Sequence, residues 1–386
     1  MELYCVMVLR DYCAIIARFI FSEYNQDANM FNFKTMFTPK YNLTDRIVKS
    51  LISIAESKTV IEKAKILPQQ ELHLRREAII RMTHHSTEIE GNGLNMQQVA
   101  ALYANRKVDA PDRDIYEVKN YLNALKYIEQ IVSRKLKITE KIILKIHKLV
   151  TAKTLHVKSC GQYRKGPIYI VRRRLGMPQE VIYTGPDAKK VPRIMTDLVD
   201  WLQKSIDKDI NPIIVAGIAH QEIAAIHPFN DGNGRTARAL ATLILYERGY
   251  DFRRLFALED YYNTNRQEYY NAINVGKNFE ERRTDLTSWI EYFVNGFKEE
   301  IDNVRTKITM LSTHKVDEKI RSQIYLTKDQ LKILDFLDQL GKINIKDVVD
   351  ILSCPKRTAQ YHLKKLKNIK MIKQVGKGPR SAYIES

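Results

Sequence analysis

The sequence of 386 residues contains few cysteines and no pattern that would cross-link them. Its four cysteines are Cys5, Cys13, Cys160 and Cys354, and none of them forms a CxxC pair with another. A zinc ribbon or a disulfide scaffold needs closely spaced or regularly paired cysteines, so neither is indicated. This cysteine usage fits a reducing compartment, and we expect the protein in the cytoplasm.

Long apolar runs are also missing. No stretch has the roughly 18 uninterrupted apolar residues of a membrane-spanning helix. The N-terminus comes nearest, but Arg10, Asp11 and Arg18 interrupt it. It also lacks the leading basic residues and the small-residue cleavage site of a signal peptide. We therefore expect no membrane partner and interpret residues 1–35 as an N-terminal extension without an assigned role.

Acidic residues are outnumbered by basic ones. The chain has 63 Lys and Arg against 45 Asp and Glu, which gives a formal net charge of +18. Such an excess suggests acidic partners, nucleic acid among them, wherever the basic residues cluster. The apolar fraction of 44% argues for a globular protein. A chain of this length holds two or three domains with a sizeable core.

One segment, residues 227–238, combines a base candidate, an acid, glycines and two arginines. It reads His-Pro-Phe-Asn-Asp-Gly-Asn-Gly-Arg-Thr-Ala-Arg, between two apolar helical patterns. This arrangement predicts a tight loop that opens a helix. A helix N-terminus offers unpaired N–H groups and partial positive charge, and glycines let a phosphate approach the backbone. The plainer interpretation is a glycine-rich helix start with surface charges, which the combination of residue types disfavours.

The segment resembles the Fic family signature, His-x-Phe-x-Asp/Glu-Gly-Asn-Gly-Arg-x-x-Arg, at every defined position. The resemblance implies a helical Fic core and transfer of AMP from ATP to a Tyr, Ser or Thr hydroxyl of a target protein. It makes His227 the general base and Asp231 the ligand of Mg²⁺ (or Mn²⁺). It also implies that Asn233, Arg235 and Arg238 contact the α-, β- and γ-phosphates in turn. The predicted ATP contacts in this segment are Phe229, Gly232, Asn233, Gly234, Arg235 and Arg238.

Gly234 bears on the type of reaction. The Doc branch of the superfamily has lysine at this position, binds the nucleotide in the reverse sense and acts as a kinase. Glycine therefore favours AMP transfer over phosphoryl transfer. Three further residues fall where Fic proteins line the adenosine pocket, although aromatic residues at this spacing are more often part of a core. They are Tyr261, Tyr262 and Asn265.

Two β-rich runs at residues 168–184 flank a basic turn, a pattern that predicts a hairpin. The hairpin resembles the Fic flap, whose edge would pair with an extended target segment. An ordinary surface hairpin is the alternative. The residues assigned to target docking are Ile182, Tyr183 and Thr184.

Upstream of the signature, Ser86-x-x-x-Glu90-Gly91 resembles the Fic inhibitory motif, Ser/Thr-x-x-x-Glu-Gly/Asn. The resemblance implies that Glu90 pairs with the Arg238 guanidinium and leaves ATP in a non-productive pose. The same site could also remove AMP, with Glu90 orienting a water. The alternative is a solvated glutamate near a helix end.

Residues 326–386 are predicted to form three helices followed by a hairpin, which resembles the winged helix-turn-helix of transcription regulators. Nine Lys and Arg and no Asp or Glu occur between Ser353 and Ile384. This asymmetry is typical of a phosphate-binding surface, so we expect DNA binding. A winged helix that binds only protein is the alternative. The predicted DNA contacts are Arg357, Thr358, Gln360, Tyr361, Lys377 and Arg380.

The predicted fold class is mainly α, with a Fic helical core, a small β-hairpin flap and a C-terminal winged helix-turn-helix. The leading function is a protein adenylyltransferase that Glu90 inhibits in cis. The alternative is a DNA-binding regulator that uses the Fic core as a nucleotide sensor. Family analogy also suggests a homodimer. After the extension, the expected regions are a helical region with the inhibitory helix (36–135), the catalytic core (136–300), a linker helix (301–325) and the winged helix-turn-helix (326–386).

Overall fold

The computed structural model describes residues 37–172, 180–313, 326–376 and 381–386. The predicted extension, residues 1–35, lies outside these ranges. The described residues are mainly helical and include two small antiparallel hairpins, which confirms the predicted fold class. None of the helices among them is long and apolar enough to cross a membrane.

The N-terminal helices begin and end where local side chains favour it. Thr44 Oγ1 accepts a hydrogen bond from the Ile47 N–H at 3.3 Å, and Asn95 forms a capping box with Gln98. Gly91 follows the second helix with a φ of 94°, a left-handed conformation that suits glycine. These helices are α1 (Asp45–Lys63), α2 (Pro68–Glu88), α3 (Met96–Tyr103) and α4 (Asp112–Ser133).

The central region consists of helices and one hairpin. Its helices are α5 (Glu140–Val150), α6 (Val191–Asp207), α7 (Pro212–Ile226), α8 (Asn233–Glu247), α9 (Leu258–Thr264), α10 (Arg266–Ile273), α11 (Phe279–Arg282) and α12 (Thr287–Thr313). Helices α7 and α8 pack against each other. Nearly all of their residues are buried, because α7 is apolar on almost every side. The loop that joins them, residues 227–232, therefore lies against the core.

The hairpin consists of β1 (Tyr169–Arg172) and β2 (Glu180–Thr184), so the predicted hairpin is confirmed. The register pairs Tyr169 with Thr184, and an irregularity separates Ile170 from Val171. Residues 173–179, which contain most of the predicted basic turn, lie outside the described residues.

Helix α12 corrects a predicted boundary. It is continuous from Thr287 to Thr313 and packs against α1. Ile301, Val304 and Ile308 are buried in the main core. The boundary expected at residue 300 therefore falls inside a core helix, and the first part of the expected linker belongs to the core. Residues 314–325 lie outside the described residues.

Residues 326–386, which we call the C-terminal module, have an apolar cluster of their own that includes Leu334, Val348 and Leu363. Gly341 ends the first helix with a φ of 70°, a left-handed conformation common for glycine at helix ends. The order of three helices and a hairpin is the predicted one. The elements are α13 (Lys328–Leu340), α14 (Ile345–Leu352), α15 (Lys356–Asn368), β3 (Ile372–Val375) and β4 (Ala382–Glu385).

The C-terminal module rests on α2. Arg76 Nη2 lies 2.7 Å from Asp338 Oδ1 of α13. Arg75 forms a second ion pair with Asp335 of the same helix. Leu72 packs against the apolar cluster of the module. Basic residues in the first half of α2 thus face acidic residues of α13, and α2 runs from this contact toward Glu90.

Candidate active site

The loop at residues 227–232 depends on two left-handed backbone conformations. His227 follows α7 with φ 47° and ψ 59°, which turns the chain out of the helix. Gly232 precedes α8 with φ 76°. A Cβ at Gly232 would lie 2.6 Å from Thr151 Cγ2, so both the conformation and the space require glycine. The loop therefore delivers His227 and the N-terminus of α8 to the same place.

The side chain of Asn233 closes this loop. Its Oδ1 accepts a hydrogen bond from the Phe229 N–H at 3.0 Å, and its Nδ2 donates to the Phe229 carbonyl at 2.9 Å. Nδ2 retains one further hydrogen for the predicted phosphate contact. Asn233 therefore has a structural role that the signature alone does not reveal.

His147 of α5 supports the same loop. Its ring stacks on Phe229 with centroids 3.7 Å apart and planes 3° from parallel. The Gly161 N–H donates to Nδ1 at 2.9 Å, which leaves the proton on Nε2 to bond the Asp231 carbonyl at 3.0 Å. Burial lowers the pKa of His147 to about 4, which keeps the ring neutral. No local sequence pattern points to this residue.

His227 is held as a neutral base. Burial lowers its pKa to about 4, and the Ala224 carbonyl offsets part of that effect. Nδ1 lies 3.4 Å from this carbonyl. Since a carbonyl only accepts, the contact favours a proton on Nδ1 and an available lone pair on Nε2. Arg164 Nε donates to the His227 carbonyl at 2.8 Å and so fixes the backbone beneath the ring.

Arg235 and Asp231 form an ion pair at the first turn of α8. Arg235 is buried, and its Nη2 lies 3.4 Å from Asp231 Oδ1. Its Nη1 lies 3.4 Å from Glu117 Oε1 of α4. Neither Nη1 nor Nε has a hydrogen-bond partner within the described part of the chain. Asp231 is partly exposed, and Arg113 approaches its Oδ2 at 3.6 Å.

Arg238 is held by the end of α2. Its Nη2 donates to Glu90 Oε1 at 2.7 Å and to the Ser86 carbonyl at 2.8 Å, and its Nε donates to Ser86 Oγ at 2.9 Å. Burial acts to lower the pKa of Arg238, but the charge of Glu90 outweighs it and the pKa is raised. A Cβ on Gly234 would overlap Glu90 Oε1, so the carboxylate lies directly against the start of α8.

The three predicted adenosine contacts lie in two different surroundings. Tyr262 is buried and stacks on Tyr269 with centroids 4.6 Å apart, within reach of the Arg238 charge. Tyr261 and Asn265 line a cleft between α9, α10 and α12, and none of residues 227–238 is among the residues that line it. The adenosine assignment of these residues stays a prediction.

Two other tyrosines approach the Glu90–Arg238 pair. The Tyr270 hydroxyl donates to the Ile89 carbonyl at 3.1 Å, next to Glu90. The Tyr269 hydroxyl lies 3.0 Å from His220 Nε2. Burial raises the pKa of Tyr269, although the charge of Arg238 acts to lower it. Both belong to α10, one turn beyond the residues that the sequence suggested.

In the hairpin, the residues predicted to dock a target differ in exposure. Tyr183 is buried, its hydroxyl bonds the Ala225 carbonyl, and the Arg282 guanidinium lies 3.4 Å from its ring centroid. Thr184 is exposed, and its N–H donates to the Lys277 carbonyl at 3.0 Å. Ile182 is partly buried. The Tyr183 side chain thus anchors the hairpin to α7, and docking stays a prediction.

The predicted DNA contacts on α15 are on the surface. All four residues at the start of this helix are exposed, and Lys365 Nζ lies 4.9 Å from the Tyr361 ring centroid. These four are Arg357, Thr358, Gln360 and Tyr361. Lys377 and Arg380, predicted on the wing, lie outside the described residues.

Comparisons with known proteins agree with this geometry. Residues 137–245 match the model of the Fic/DOC family. "Protein adenylyltransferase Fic" of Drosophila willistoni is 30% identical over 203 residues, which is 52% of this chain and 36% of that protein. The protein of the same name from Nematostella vectensis is 30% identical over 224 residues, 56% of this chain and 48% of that protein. The chain thus covers less than half the length of these curated relatives.

A solved structure shares the fold over most of the chain. The crystal structure of a Fic family protein from Desulfovibrio desulfuricans G20 superposes with a TM-score of 0.58 at 24% sequence identity. The match covers 91% of this chain and 98% of that one. The signature loop and its buried arginines lie within residues 137–245, the part of the chain that matches the Fic/DOC family model.

Proposed function

We propose that the protein is an adenylyltransferase that moves AMP from ATP to a hydroxyl of a target protein, and that Glu90 restrains it in cis. The observation that carries this proposal is the Glu90–Arg238 ion pair, 2.7 Å long and placed against Gly234 at the N-terminus of α8. The names of the relatives support the activity.

The residues at the start of α8 fit a polyphosphate. Arg235 is buried, with two nitrogen atoms that lack hydrogen-bond partners among the described residues. The first N–H groups of α8 have no partner within the helix. Anionic oxygens would satisfy both sets of donors at once. In this arrangement Asn233, Arg235 and Arg238 hold the α-, β- and γ-phosphates.

Asp231 fits a divalent ion beside these phosphates. Its carboxylate is partly exposed, and only arginines approach its oxygens at 3.4–3.6 Å among the described side chains. Mg²⁺ (or Mn²⁺) bound there would neutralise phosphate charge and orient the α- and β-phosphates. His147 supports this position through its bond to the Asp231 carbonyl.

In the proposed reaction, His227 Nε2 accepts the proton of the target Tyr, Ser or Thr hydroxyl. The hydroxyl oxygen bonds to the α-phosphorus of ATP, the bond from that phosphorus to the bridging oxygen breaks, and pyrophosphate leaves. The neutral state of His227 permits this step near pH 7. Gly234 supports AMP transfer, since the kinase branch of the superfamily has lysine there.

Inhibition follows from the occupied donors of Arg238. Glu90 and Ser86 accept its Nη2 and Nε hydrogens, and the Glu90 carboxylate adds negative charge where a γ-phosphate would lie. Hundredfold inhibition needs a free-energy difference of only about 3 kcal/mol between the two nucleotide poses. We include removal of AMP at the same site, with Glu90 orienting the attacking water.

For the C-terminal module we propose a winged helix-turn-helix that binds DNA through α15. The exposed, basic face of this helix supports the proposal, and the absence of Asp and Glu between Ser353 and Ile384 removes local repulsion. A DNA-binding regulator with a nucleotide-sensing Fic domain is the second candidate, since the same surface would serve it.

The test is transfer of label from α-³²P-ATP to protein by the Glu90→Gly variant. We expect transfer at least about tenfold above wild type, and its loss in Glu90→Gly/His227→Ala. Mass spectrometry of lysate proteins treated with the variant would identify the modified hydroxyl. If a folded Glu90→Gly variant binds ATP without transferring label, the sensor is the correct function and the transferase proposal fails.

A further inference from the structure

The last turn of α2 brings together two imidazoles and a carboxylate that the proposed reaction does not use. His84 Nδ1 lies 3.3 Å from His85 Nδ1 and 3.5 Å from Glu88 Oε2, and His85 Nδ1 lies 3.4 Å from the same Glu88 oxygen. The three atoms form a nearly regular triangle. A tetrahedral metal ion with bonds of about 2.0–2.1 Å holds its ligands about 3.3–3.4 Å apart, which matches these edges.

Asn263 now holds two corners of this triangle. Its Nδ2 donates to His85 Nδ1 at 2.7 Å and to Glu88 Oε2 at 2.8 Å. Its Oδ1 accepts from Arg266 Nε at 2.6 Å, which sets the orientation of the amide. Because the neutral His85 Nδ1 has one lone pair, it can bind either the Asn263 hydrogen or a cation. A cation inside the triangle would therefore replace the two Asn263 contacts and bind all three atoms.

A further carboxylate lies beside the other ring nitrogen of His85. Because His85 Nδ1 accepts a hydrogen bond from Asn263, the proton of the neutral ring is on Nε2. Nε2 lies 3.3 Å from Asp260 Oδ1, a buried oxygen atom that accepts no hydrogen bond from the described residues. Metal-bound histidines commonly donate their second ring nitrogen to a carboxylate, and Asp260 Oδ1 is the nearby acceptor for such a bond. Arg81 pairs with the other Asp260 oxygen.

We propose that His84, His85 and Glu88 bind a divalent transition-metal ion of the zinc class at the end of α2. Two imidazole nitrogens and one carboxylate suit Zn²⁺ and its neighbours, whereas Mg²⁺ and Ca²⁺ prefer oxygen ligands. The site is therefore chemically distinct from the one at Asp231. Three protein ligands leave a fourth position for water.

The position of this site links it to inhibition, a step that rests on the proposed function. Glu88 precedes Glu90 by two residues, and Asp260 and Asn263 belong to α9. Because all three ligands belong to the last turn of α2, a metal ion here would hold that turn together and restrict the residues that lead to Glu90. The bound metal should therefore strengthen the Glu90–Arg238 contact and reduce AMP transfer.

The binding test uses the full chain, stripped with chelator and titrated with Co²⁺ and then Zn²⁺ in the absence of ATP. We expect one ion per chain, a visible Co²⁺ absorption of tetrahedral intensity that Zn²⁺ abolishes, and an increase in thermal stability with Zn²⁺. His85→Gln and Glu88→Gln should each weaken binding by at least about tenfold. His73→Gln is the matched control, because His73 lies exposed on the same helix.

Equal Zn²⁺ affinity in wild type, His85→Gln and Glu88→Gln, or no saturable binding, would overturn the site. The second arm compares AMP transfer by Zn²⁺-free and Zn²⁺-loaded wild type, with His73→Gln alongside and Mg²⁺ in every sample. Higher transfer by the Zn²⁺-free protein supports the link to Glu90, and equal transfer overturns that link. Since binding is measured without ATP, a failure of the proposed function leaves the binding result interpretable.

Discussion

His227 and Arg238 lie at neighbouring helix ends and need different charge states in the proposed reaction. His227 must be neutral and Arg238 positive. A proton acceptor must be neutral, and burial keeps His227 so by lowering its pKa to about 4. A phosphate anchor must be positive, and Glu90 keeps Arg238 charged although the guanidinium is buried. The Glu90 carboxylate thus compensates the buried charge that a phosphate of ATP would meet in the proposed reaction.

The state of His227 predicts an unusual pH dependence. The base is active when neutral, so a lowered pKa extends activity toward acid, and activity is lost as the pH falls through about 4. At pH 5.5 an imidazole with the ordinary pKa of about 6.5 would be about nine-tenths protonated. We expect kcat/KM of the Glu90→Gly variant at pH 5.5 to stay above about half its value at pH 7.5. A tenfold fall between these values, with the variant still folded by circular dichroism, would contradict a desolvated base.

At the scale of single residues, the sequence predicts the residues of the proposed reaction better than the residues that support them. The signature and the inhibitory motif led to His227 and Glu90, and the structure places Glu90 on Arg238 as expected. The supporting residues His147 and Glu117 lie on α5 and α4, far along the chain, and their types are ordinary for helix residues. Only the fold brings them to the loop, so no local pattern could identify them.

Helix α5 supports the loop between α7 and α8 through the side chain of His147. The His147 ring provides a stack on Phe229 and two hydrogen bonds, to Gly161 and to the Asp231 carbonyl. Removing it leaves buried polar groups unpaired and the loop unsupported. The position of Asp231 therefore depends on a residue that touches neither nucleotide nor target in the proposed reaction.

We expect His147→Ala to lower the free energy of unfolding by about 2–4 kcal/mol. It should also reduce AMP transfer by the Glu90→Gly variant, because the loop loses its orientation. Urea unfolding followed by circular dichroism and a labelled-ATP assay measure the two effects. His156→Ala is the control, since His156 is exposed and should change stability by no more than about 0.5 kcal/mol. Unchanged stability in both variants would show that α7 and α8 alone hold the loop.

Elements were predicted well where the pattern of residue types is regular. The hairpin at residues 168–184 and the order of three helices and a hairpin at residues 326–386 agree with the structure. The end of the core was misplaced, because Ile301, Val304 and Ile308 recur at helical spacing among many charged residues. That mixture resembles a solvated connector in sequence, and only packing against α1 shows these residues to be core.

On the scale of the whole molecule, the net charge of +18 is most informative in the C-terminal module, where basic residues are concentrated. Its α15 presents basic side chains to solvent and contains no Asp or Glu. Two acidic residues of α13, Asp335 and Asp338, pair with α2, whereas Asp329 and Asp350 are exposed. The exposed helix α15 therefore carries a local excess of positive charge.

We expect the full chain to bind duplex DNA with an affinity that falls steeply as salt rises from 50 to 200 mM, because phosphate binding releases counterions. Arg357→Ala should weaken binding by about tenfold, whereas Lys49→Ala, an exposed change on α1, should not. Fluorescence anisotropy across a salt series measures both. Salt-independent binding, or none, would instead favour a module that contacts protein.

Helix α2 meets the C-terminal module near its beginning and restrains Arg238 just past its end. Arg76 and Glu90 are 14 residues apart, so at 1.5 Å per helical residue the two contacts are separated by about 20 Å. We expect a ligand that shifts the module on α2 to change the Glu90–Arg238 contact as well. Reciprocity then requires that a nucleotide pose in which Glu90 has left Arg238 change the affinity for that ligand by the same factor. In this way α2 would couple ligand binding at the C-terminal module to nucleotide binding at the start of α8.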